Sequence, residues 1–456
     1  MKNICKIPID ARYTLSTLLV RTMYRLSTLL ACITMIFSCK KDTEISIYNP
    51  TQSKPNILLI IADDMGLDAC PGYDLGTIKP SMPNLENMIH SGIRFNNVWS
   101  YPTCSPTRSS ILTGKYGFRT GIMKVDDELS TTEISIQKYL DDQLGAAYNH
   151  AVIGKWHLST DFNHPTNIGI DYYAGSITGG LSSYWNWKLT ENNNTSTSTT
   201  YNTTKYTDLA IEWIENQTQP WFLWLAYNAP HSPFHLPPDN LHSQGILPTD
   251  EVSIDSNPMP YYLAMIESMD TEIGRLLSAM SLEEKENTVI IFIGDNGTPS
   301  AVAQEYNTRR VKGTVYQGGV NVPMIISGKD VSRFNQTEDA LINTTDLFAT
   351  IASIAGVPVM TINDSQNFKE LLSEPNSVKR DYVYAEIGHE SGNSDYTIRN
   401  NTHKYIHFAD GSEKLFEIST DPFESINLLH VNQLPLNSSD SSIKQDLIDN
   451  LNNIRQ

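Results

Sequence analysis

Asn56-Ile57-Leu58-Leu59-Ile60-Ile61-Ala62-Asp63-Asp64-Met65-Gly66 is the stretch that decides the architecture. A strand with one wet face alternates apolar and polar residues. An unbroken apolar run of this length reads instead as a strand covered on both faces, as in a parallel sheet flanked by helices. The run stops at two carboxylates and a glycine. The same grammar recurs at Thr288–Gly294, which ends in Asp295-Asn296-Gly297, and at Trp221–Ala226, which leads to His231-Ser232-Pro233-Phe234. A shorter run at 151–153 ends in Gly154-Lys155-Trp156-His157. Helical patterns separate these strands. Residues 83–89 open on a proline and close near Gly92, and 208–214 form a second candidate. Tyr262, Ile266, Met269, Ile273, Leu276, Leu277 and Met280 keep the rhythm of an amphipathic helix, a core stripe, and 346–355 repeats it before Gly356. Strands alternating with helices predict an α/β fold with a large, mostly parallel central sheet, whose ligands bind at the carboxyl ends of the strands.

Two segments depart from that rhythm. Residues 191–204 are Asn, Ser and Thr with almost no apolar residue, and read as a solvated loop or a hairpin tip. From about Arg380 the chain turns to short strands at 382–386, 396–399, 404–408 and 414–418, then a final helix at 442–454. The expected organisation is a catalytic domain over 54–375 and a small antiparallel C-terminal subdomain over 376–456.

Three of the five cysteines, Cys5, Cys32 and Cys39, lie in the first 39 residues; the others are Cys70 and Cys104. Residues 26–37 are almost uninterruptedly apolar, follow Arg21 and Arg25, and are too few to span a bilayer, which is the pattern of a signal-peptide apolar region. Ile36-Phe37-Ser38-Cys39 resembles the bacterial lipobox, whose Cys receives a lipid and becomes the first mature residue. The expectation is a lipoprotein signal peptide over 1–38, a tether over 39–53, and a protein exported and anchored to the outer membrane through Cys39. The alternative is an ordinary signal peptide and secretion to the periplasm, and Met23 is a second candidate start. The formal net charge is -18. The leader holds five basic residues (Lys2, Lys6, Arg12, Arg21, Arg25) against one acid (Asp10), so the mature chain is more negative still. Such a balance excludes a nucleic-acid partner, because neutralising phosphates needs clustered Lys and Arg. Cys70 reads as a quiet buried thiol.

Asp63-Asp64 and Asp295-Asn296 are hard oxygen donors at the ends of two strands expected side by side. Converging carboxylates repel, and a divalent cation relieves the repulsion; oxygen-only ligation favours Ca²⁺ or Mg²⁺ over zinc. Taken alone, either pair reads equally well as turn chemistry. The segment that adds weight is Cys104-Ser105-Pro106-Thr107-Arg108, followed by Thr113-Gly114.

That segment resembles the sulfatase signature C-x-P-x-R with its T-G element, with every defining position filled. Other elements of the family follow in order: Asp63-Asp64, Lys155 and His157, His231 to Phe234, Asp295 to Gly297, Lys312 with Gly318-Gly319, and Asp421-Pro422 through Asn427-Leu428. The resemblance implies a formylglycine-dependent sulfatase with an alkaline-phosphatase-like fold. It implies conversion of Cys104 to an aldehyde by a maturation enzyme. The hydrated aldehyde is a hard-oxygen nucleophile and ligand, whereas a thiolate is soft and suits an oxygen-preferring cation badly. One diol oxygen attacks sulfur and the other later expels sulfate. The implied cation is one Ca²⁺ held by Asp63, Asp64, Asp295, Asn296 and residue 104. Arg108 would hold the nucleophile, Lys155 and Lys312 the sulfate oxygens, His157 would be the base and His231 the acid for the leaving alcohol. Ser105 would serve recognition by the maturation enzyme.

The expected substrate is a sulfated extracellular carbohydrate, with ulvan or carrageenan as candidates. Two alternatives stand: a phosphodiesterase or phosphonate monoester hydrolase on the same superfold, and a non-catalytic glycan-binding lipoprotein. Specificity is expected in the loops at 162–193 and 235–260 and in the C-terminal subdomain. Trp185 and Trp187 could stack on a sugar or pack the loop. His164, His235, His389, His403 and His407 could reach a substrate, with His235 the best placed.

Overall fold

The structure, a computed structural model, describes residues 54–377 and 380–456. The signal peptide, tether, Met23 and Cys39 lie outside the described residues. Residues from Lys54 to Gln456 form one compact unit.

The central sheet has ten strands. From edge to edge they are Gln336–Glu338, Gly92–Phe95, Met324–Gly328, Thr288–Gly294, Asn56–Ala62, Trp221–Ala226, Asn149–Gly154, Tyr172–Gly175, Trp187–Glu191 and Asn194–Ser198. The five strands from Thr288–Gly294 to Tyr172–Gly175 run parallel. Antiparallel pairings flank them on both sides. Register sets the site: Ala62 pairs with Gly294, and Gly154 with Ala226, so four chain segments leave the sheet at one edge.

The unbroken apolar runs have a direct cause. Ile57, Leu59 and Ile61 point into one core, while Leu58, Ile60 and Ala62 point into the other. The first is shared with helices Cys104–Thr113, Ile136–Leu144 and Asp346–Ile354; the second with Pro83–His90, Asn202–Glu215 and Met259–Ala279. With both faces covered, no position can be polar without a buried partner.

The region at 191–204 is only partly a loop. Asn192 and Asn193 make the tip of a hairpin, with Asn192 in the left-handed region at φ 49, but the chain then pairs as Asn194–Ser198 and enters helix Asn202–Glu215. The start expected at Asp208 moves forward to Asn202, because Tyr206 packs in the core and carries the polar first turn with it. Short strands Val383–Gly388, Ser394–Arg399, Lys404–His407 and Glu413–Phe416 form the expected antiparallel sheet. Helix Ser438–Arg455 crosses it through Leu447 and Leu451. That helix begins before residue 442 because Asn437 caps it, accepting the Asp440 N–H. Among the described residues no helix is long and apolar enough to cross a membrane.

Candidate active site

Cys104 opens helix Cys104–Thr113, all ten residues of which are buried. The helix stops at Gly114, in the left-handed region at φ 66, where a Cβ would lie 2.9 Å from the Phe348 ring. At the other end Cys104 Sγ sits 3.2 Å from Asp63 Oδ1 and 3.3 Å from Asn296 Oδ1. Burial first, then the Asp295 and Asp63 charges, push the thiol pKa well above its ordinary value. A protonated thiol facing two oxygens is neither a nucleophile nor a ligand for a hard cation.

Around it, three carboxylates meet three basic groups. Asp63 Oδ2 accepts from Lys155 Nζ at 2.5 Å, and Asp64 from Lys312 Nζ at 2.6 Å. Asp295 Oδ2 accepts from Arg108 Nη2 at 2.8 Å, and its Oδ1 accepts the Asp64 N–H at 3.0 Å. Arg108 also donates to the Lys155 carbonyl, so the signature helix is clamped to two strand ends. Burial would raise the Asp63 pKa, but Lys155, His231, Arg108 and Lys312 together outweigh it and hold the carboxyl below its usual range. Asp295 goes the other way, up to about 6, through burial and the neighbouring Asp63 charge. Asp64 adopts φ 72, and its carbonyl accepts from Tyr262 Oη at 2.9 Å. Asn296 Nδ2 donates to Asp64 Oδ1, which turns the amide oxygen toward Cys104. The ligating atoms of Asp63, Asp64, Cys104 and His231 all lie within 4.8 Å of one another. Hard oxygen donors crowded until one carboxylate resists ionising form a set that fits a divalent cation.

The two histidines are oriented by partners that no motif names. His157 Nε2 lies 2.8 Å from Asp126 Oδ1, so the ring proton belongs on Nε2 and donates to the carboxylate. Nδ1 is buried with no partner among the described residues, a free lone pair. The backbone at His157 is left-handed, φ 58, and the ring packs so tightly on Gly179 that a Cβ there would come within 2.2 Å. The Asp126 N–H in turn donates to Ser105 Oγ at 3.3 Å, so in the folded chain the second signature residue supports the loop that orients His157. His231 Nδ1 donates to the Ser232 carbonyl at 2.7 Å, leaving Nε2 facing Asp64, 3.8 Å from Oδ2. Its carbonyl and that of Asn228 both accept from Tyr184 Oη.

The remaining candidates separate cleanly. Trp187 is core: it packs edge-on to Tyr206 and donates to the Thr200 carbonyl. Trp185 is 39 % exposed and lies on Tyr201 and His235, with ring centroids 5.0 and 4.9 Å away. His235 also stacks near Tyr184 at 4.2 Å, which ties this aromatic group to His231. His164 is buried between Trp156 Nε1 and the Leu129 carbonyl, His403 lies near Asp440, His389 follows strand Val383–Gly388, and His407 ends strand Lys404–His407. Burial pushes the Cys70 thiol up to about 12. A second group, Asp141, His150 and Asp171, has atoms close enough for a metal. However, His150 Nδ1 accepts the Asp171 N–H, which puts the proton on Nε2, where it donates to both carboxylates at 3.0 and 3.2 Å.

Burial, with Lys155 second for His157, holds His157 neutral down to about 3, and burial holds His235 neutral down to about 4. Both values lie below the unfolded 6.5, so between 6.5 and about 4 the unfolded chain binds protons that the folded chain refuses. Stability should therefore fall as pH drops through that window, by up to about 1.4 kcal/mol per unit for each imidazole. Thermal unfolding against pH should show a shallower fall for His235→Gln than for the wild type; equal slopes would remove His235 from this account.

The family model described as Sulfatase matches residues 55–357, and the one described as N-sulphoglucosamine sulphohydrolase, C-terminal, matches 309–456. Arylsulfatase J of Mus musculus is 28% identical over 329 residues, covering 66% of this chain and 53% of its own length. The chain thus spans about half of that relative. The Ulvan-active sulfatase of Formosa agariphila is 25% identical over 425 residues, covering 86% of this chain and 81% of its own. Among solved structures, Ps i-CgsB in complex with k-i-k-neocarrahexaose superposes with a TM-score of 0.75 at 25% identity, covering 88% of this chain and 92% of that one. Since the Sulfatase model accounts for well over half of its length, this chain belongs to the sulfatase family.

Proposed function

We propose that the chain is a sulfatase that hydrolyses sulfate esters of an extracellular sulfated polysaccharide or oligosaccharide, with ulvan and carrageenan as candidates, using Cys104 converted to formylglycine and one Ca²⁺. The observation that carries this reading is the largely buried set of Asp63, Asp64, Asp295, Arg108, Lys155 and Lys312 gathered on the Cys104 side chain. The activity named for Arylsulfatase J, and the carbohydrates named for the Formosa and i-CgsB proteins, support the reaction and the substrate class.

Hydrated formylglycine would supply a hard-oxygen nucleophile, and a divalent cation on the oxygens of Asp63, Asp64, Asp295 and Asn296 would supply positive charge at the sulfate. The chain's own residues do the rest. Lys155 and Lys312 serve as counter-charges for Asp63 and Asp64, and are placed to turn toward sulfate oxygens once a cation takes over those carboxylates. Arg108 keeps the residue 104 side chain against the strand ends. His157 Nδ1, with its proton parked on the far nitrogen, is the lone pair that can take a proton from an oxygen on residue 104. His231 Nε2, at the mouth of the site, is placed to protonate the departing alcohol. Trp185 offers the exposed ring on which a sugar stacks.

The matured protein should turn over an aryl sulfate faster than an aryl phosphodiester by orders of magnitude; the reverse preference would replace sulfate by phosphate chemistry. Trp185→Ala should raise KM for a sulfated oligosaccharide about tenfold, the loss of one stacked ring, and leave a small aryl sulfate unaffected. An equal loss on both substrates would mean that Trp185 only supports the fold. Export and lipidation at Cys39 complete the proposal, with the maturation enzyme as a protein partner. Cys39→Ala should move the protein from the membrane to the soluble fraction, and unchanged membrane association would remove the anchor.

A further inference from the structure

Away from Cys104, a cavity of about 580 Å³ opens between strand Gly92–Phe95 and the C-terminal sheet. It joins a second of about 400 Å³ through shared lining residues, Arg399 among them. None of the residues assigned to the sulfatase chemistry lines either one. Two arginines do. Arg399 ends strand Ser394–Arg399 and is only 5 % exposed. Its Nε donates to the Asn400 carbonyl and its Nη1 to Asn97 Oδ1, leaving Nη2 without a partner among the described residues. Arg94 lies over the Tyr73 ring, and its buried Nε has no partner either. Among the described residues, neither guanidinium has a carboxylate within 4.0 Å.

That is anomalous in a chain with 51 acidic and 33 basic residues, where carboxylates are in excess. Burying a guanidinium without a counter-charge is costly, and burial with nothing strong enough to offset it lowers the Arg399 pKa to about 10. One further donor on the wall suits the same ligand. Gln317 spends its amide oxygen on Trp99 Nε1, so its amide hydrogens are free. Two guanidiniums and a side-chain amide are the groups that bind a compact oxyanion, with the planar fork of arginine taking two oxygens at once. Asp74 and Asp339 also line the cavity but are exposed, so solvent screens their charge.

We propose that this cavity is a second oxyanion site, separate from the Cys104 site, that takes the sulfate group of a sulfated sugar. The sugar rests on the function proposed above; the oxyanion site does not. A protein that engages one sulfate here while another is presented to Cys104 would favour a multiply sulfated chain over an isolated ester.

The first test is a crystal of the full protein soaked in sodium selenate at tens of millimolar. Anomalous density is expected within hydrogen-bonding reach of Arg94 and Arg399, and its absence there overturns the site. The second is solution binding. Arg94→Gln, which removes no hydrogen bond, should cut the thermal stabilisation by inorganic sulfate by at least about half and leave turnover of an aryl sulfate within about twofold; an unchanged response overturns the proposal. Arg399→Lys keeps the charge but loses the fork, and should show the same direction. The source is distinguished in a Cys104→Ala background, by comparing affinities of galactose 4-sulfate, inorganic sulfate and galactose with and without Arg94→Gln. A loss of about tenfold for the sugar sulfate alongside the loss for inorganic sulfate, with galactose unchanged, supports the proposal, whereas a loss confined to inorganic sulfate keeps an oxyanion site and overturns the sugar. Selenate at the arginines of a protein with no sulfatase activity would break the proposed function and leave this site standing.

Discussion

Cys104→Ser should fold as the wild type does and lose at least about 10⁴-fold in turnover of any sulfate ester, the scale seen when a nucleophile is removed from a preorganised site. The substitution exchanges one atom in a fully buried position, so it leaves no cavity, and the new hydroxyl can donate to Asp63 Oδ1 where the thiol now lies. Thermal unfolding should therefore shift by little. On the proposed mechanism, what disappears is the second oxygen that hydrated formylglycine would carry on the same carbon. A serine that attacked sulfur would carry the sulfuryl group as a stable ester, because the proton acceptor at His157 Nδ1 would find no neighbouring hydroxyl to activate. Mass spectrometry after incubation with an aryl sulfate should show at most one sulfuryl group per chain and no continuing turnover. Multiple turnovers by Cys104→Ser would sink the formylglycine mechanism. Unmodified cysteine at 104 in the protein purified from its native host would do the same by another route.

Lys155→Met should be the most damaging of the substitutions at the basic groups, and in two ways at once. The Lys155 ammonium is fully buried 2.5 Å from Asp63, and burial alone would lower its pKa, yet the Asp63 charge holds it above the ordinary value. Removing it strands a carboxylate in the interior, a loss of roughly 3–5 kcal/mol. On the proposed mechanism it also removes a charge placed for the transition state, worth roughly 10²–10³ in rate. Lys312→Met should cost less stability, because the Lys312 side chain is 22% exposed and solvent helps to screen Asp64. The two effects separate on adding Ca²⁺. A cation on the carboxylates should restore melting temperature to Lys155→Met by more than it adds to the wild type, without restoring turnover. Equal Ca²⁺ responses in the two proteins would mean that Lys155 does not share its carboxylate with a cation.

The strands at the site were legible because each is decided by its own residues. Asn56–Ala62, Thr288–Gly294 and Trp221–Ala226 match their apolar runs residue for residue, since a strand covered on both faces leaves no room for a polar position. The helix Asn202–Glu215 was half missed for the complementary reason. Its first turn, Asn-Thr-Thr, has the composition of a loop and is helical because Tyr206 and Leu209 anchor the turn that follows. Asp126, Gly179 and Tyr184 were missed altogether. An aspartate in a loop, a glycine beside another glycine and a tyrosine carry no local sign that they orient His157 or His231.

Motif order and strand-ending chemistry therefore determined, from sequence alone, the family, the fold class and the set of residues that meet at one sheet edge. The fold class follows from periodicity, and the family and its site residues from a resemblance of motifs in order, both of which a linear chain displays. Only the tertiary structure decided which nitrogen of His157 is free, which lysine neutralises which aspartate, that Trp185 rather than Trp187 faces solvent, and that Arg94 and Arg399 share a cavity without a carboxylate. Each of these is a contact between side chains brought together by packing across the fold, and spacing along the chain does not encode the direction in which a side chain points once it is buried.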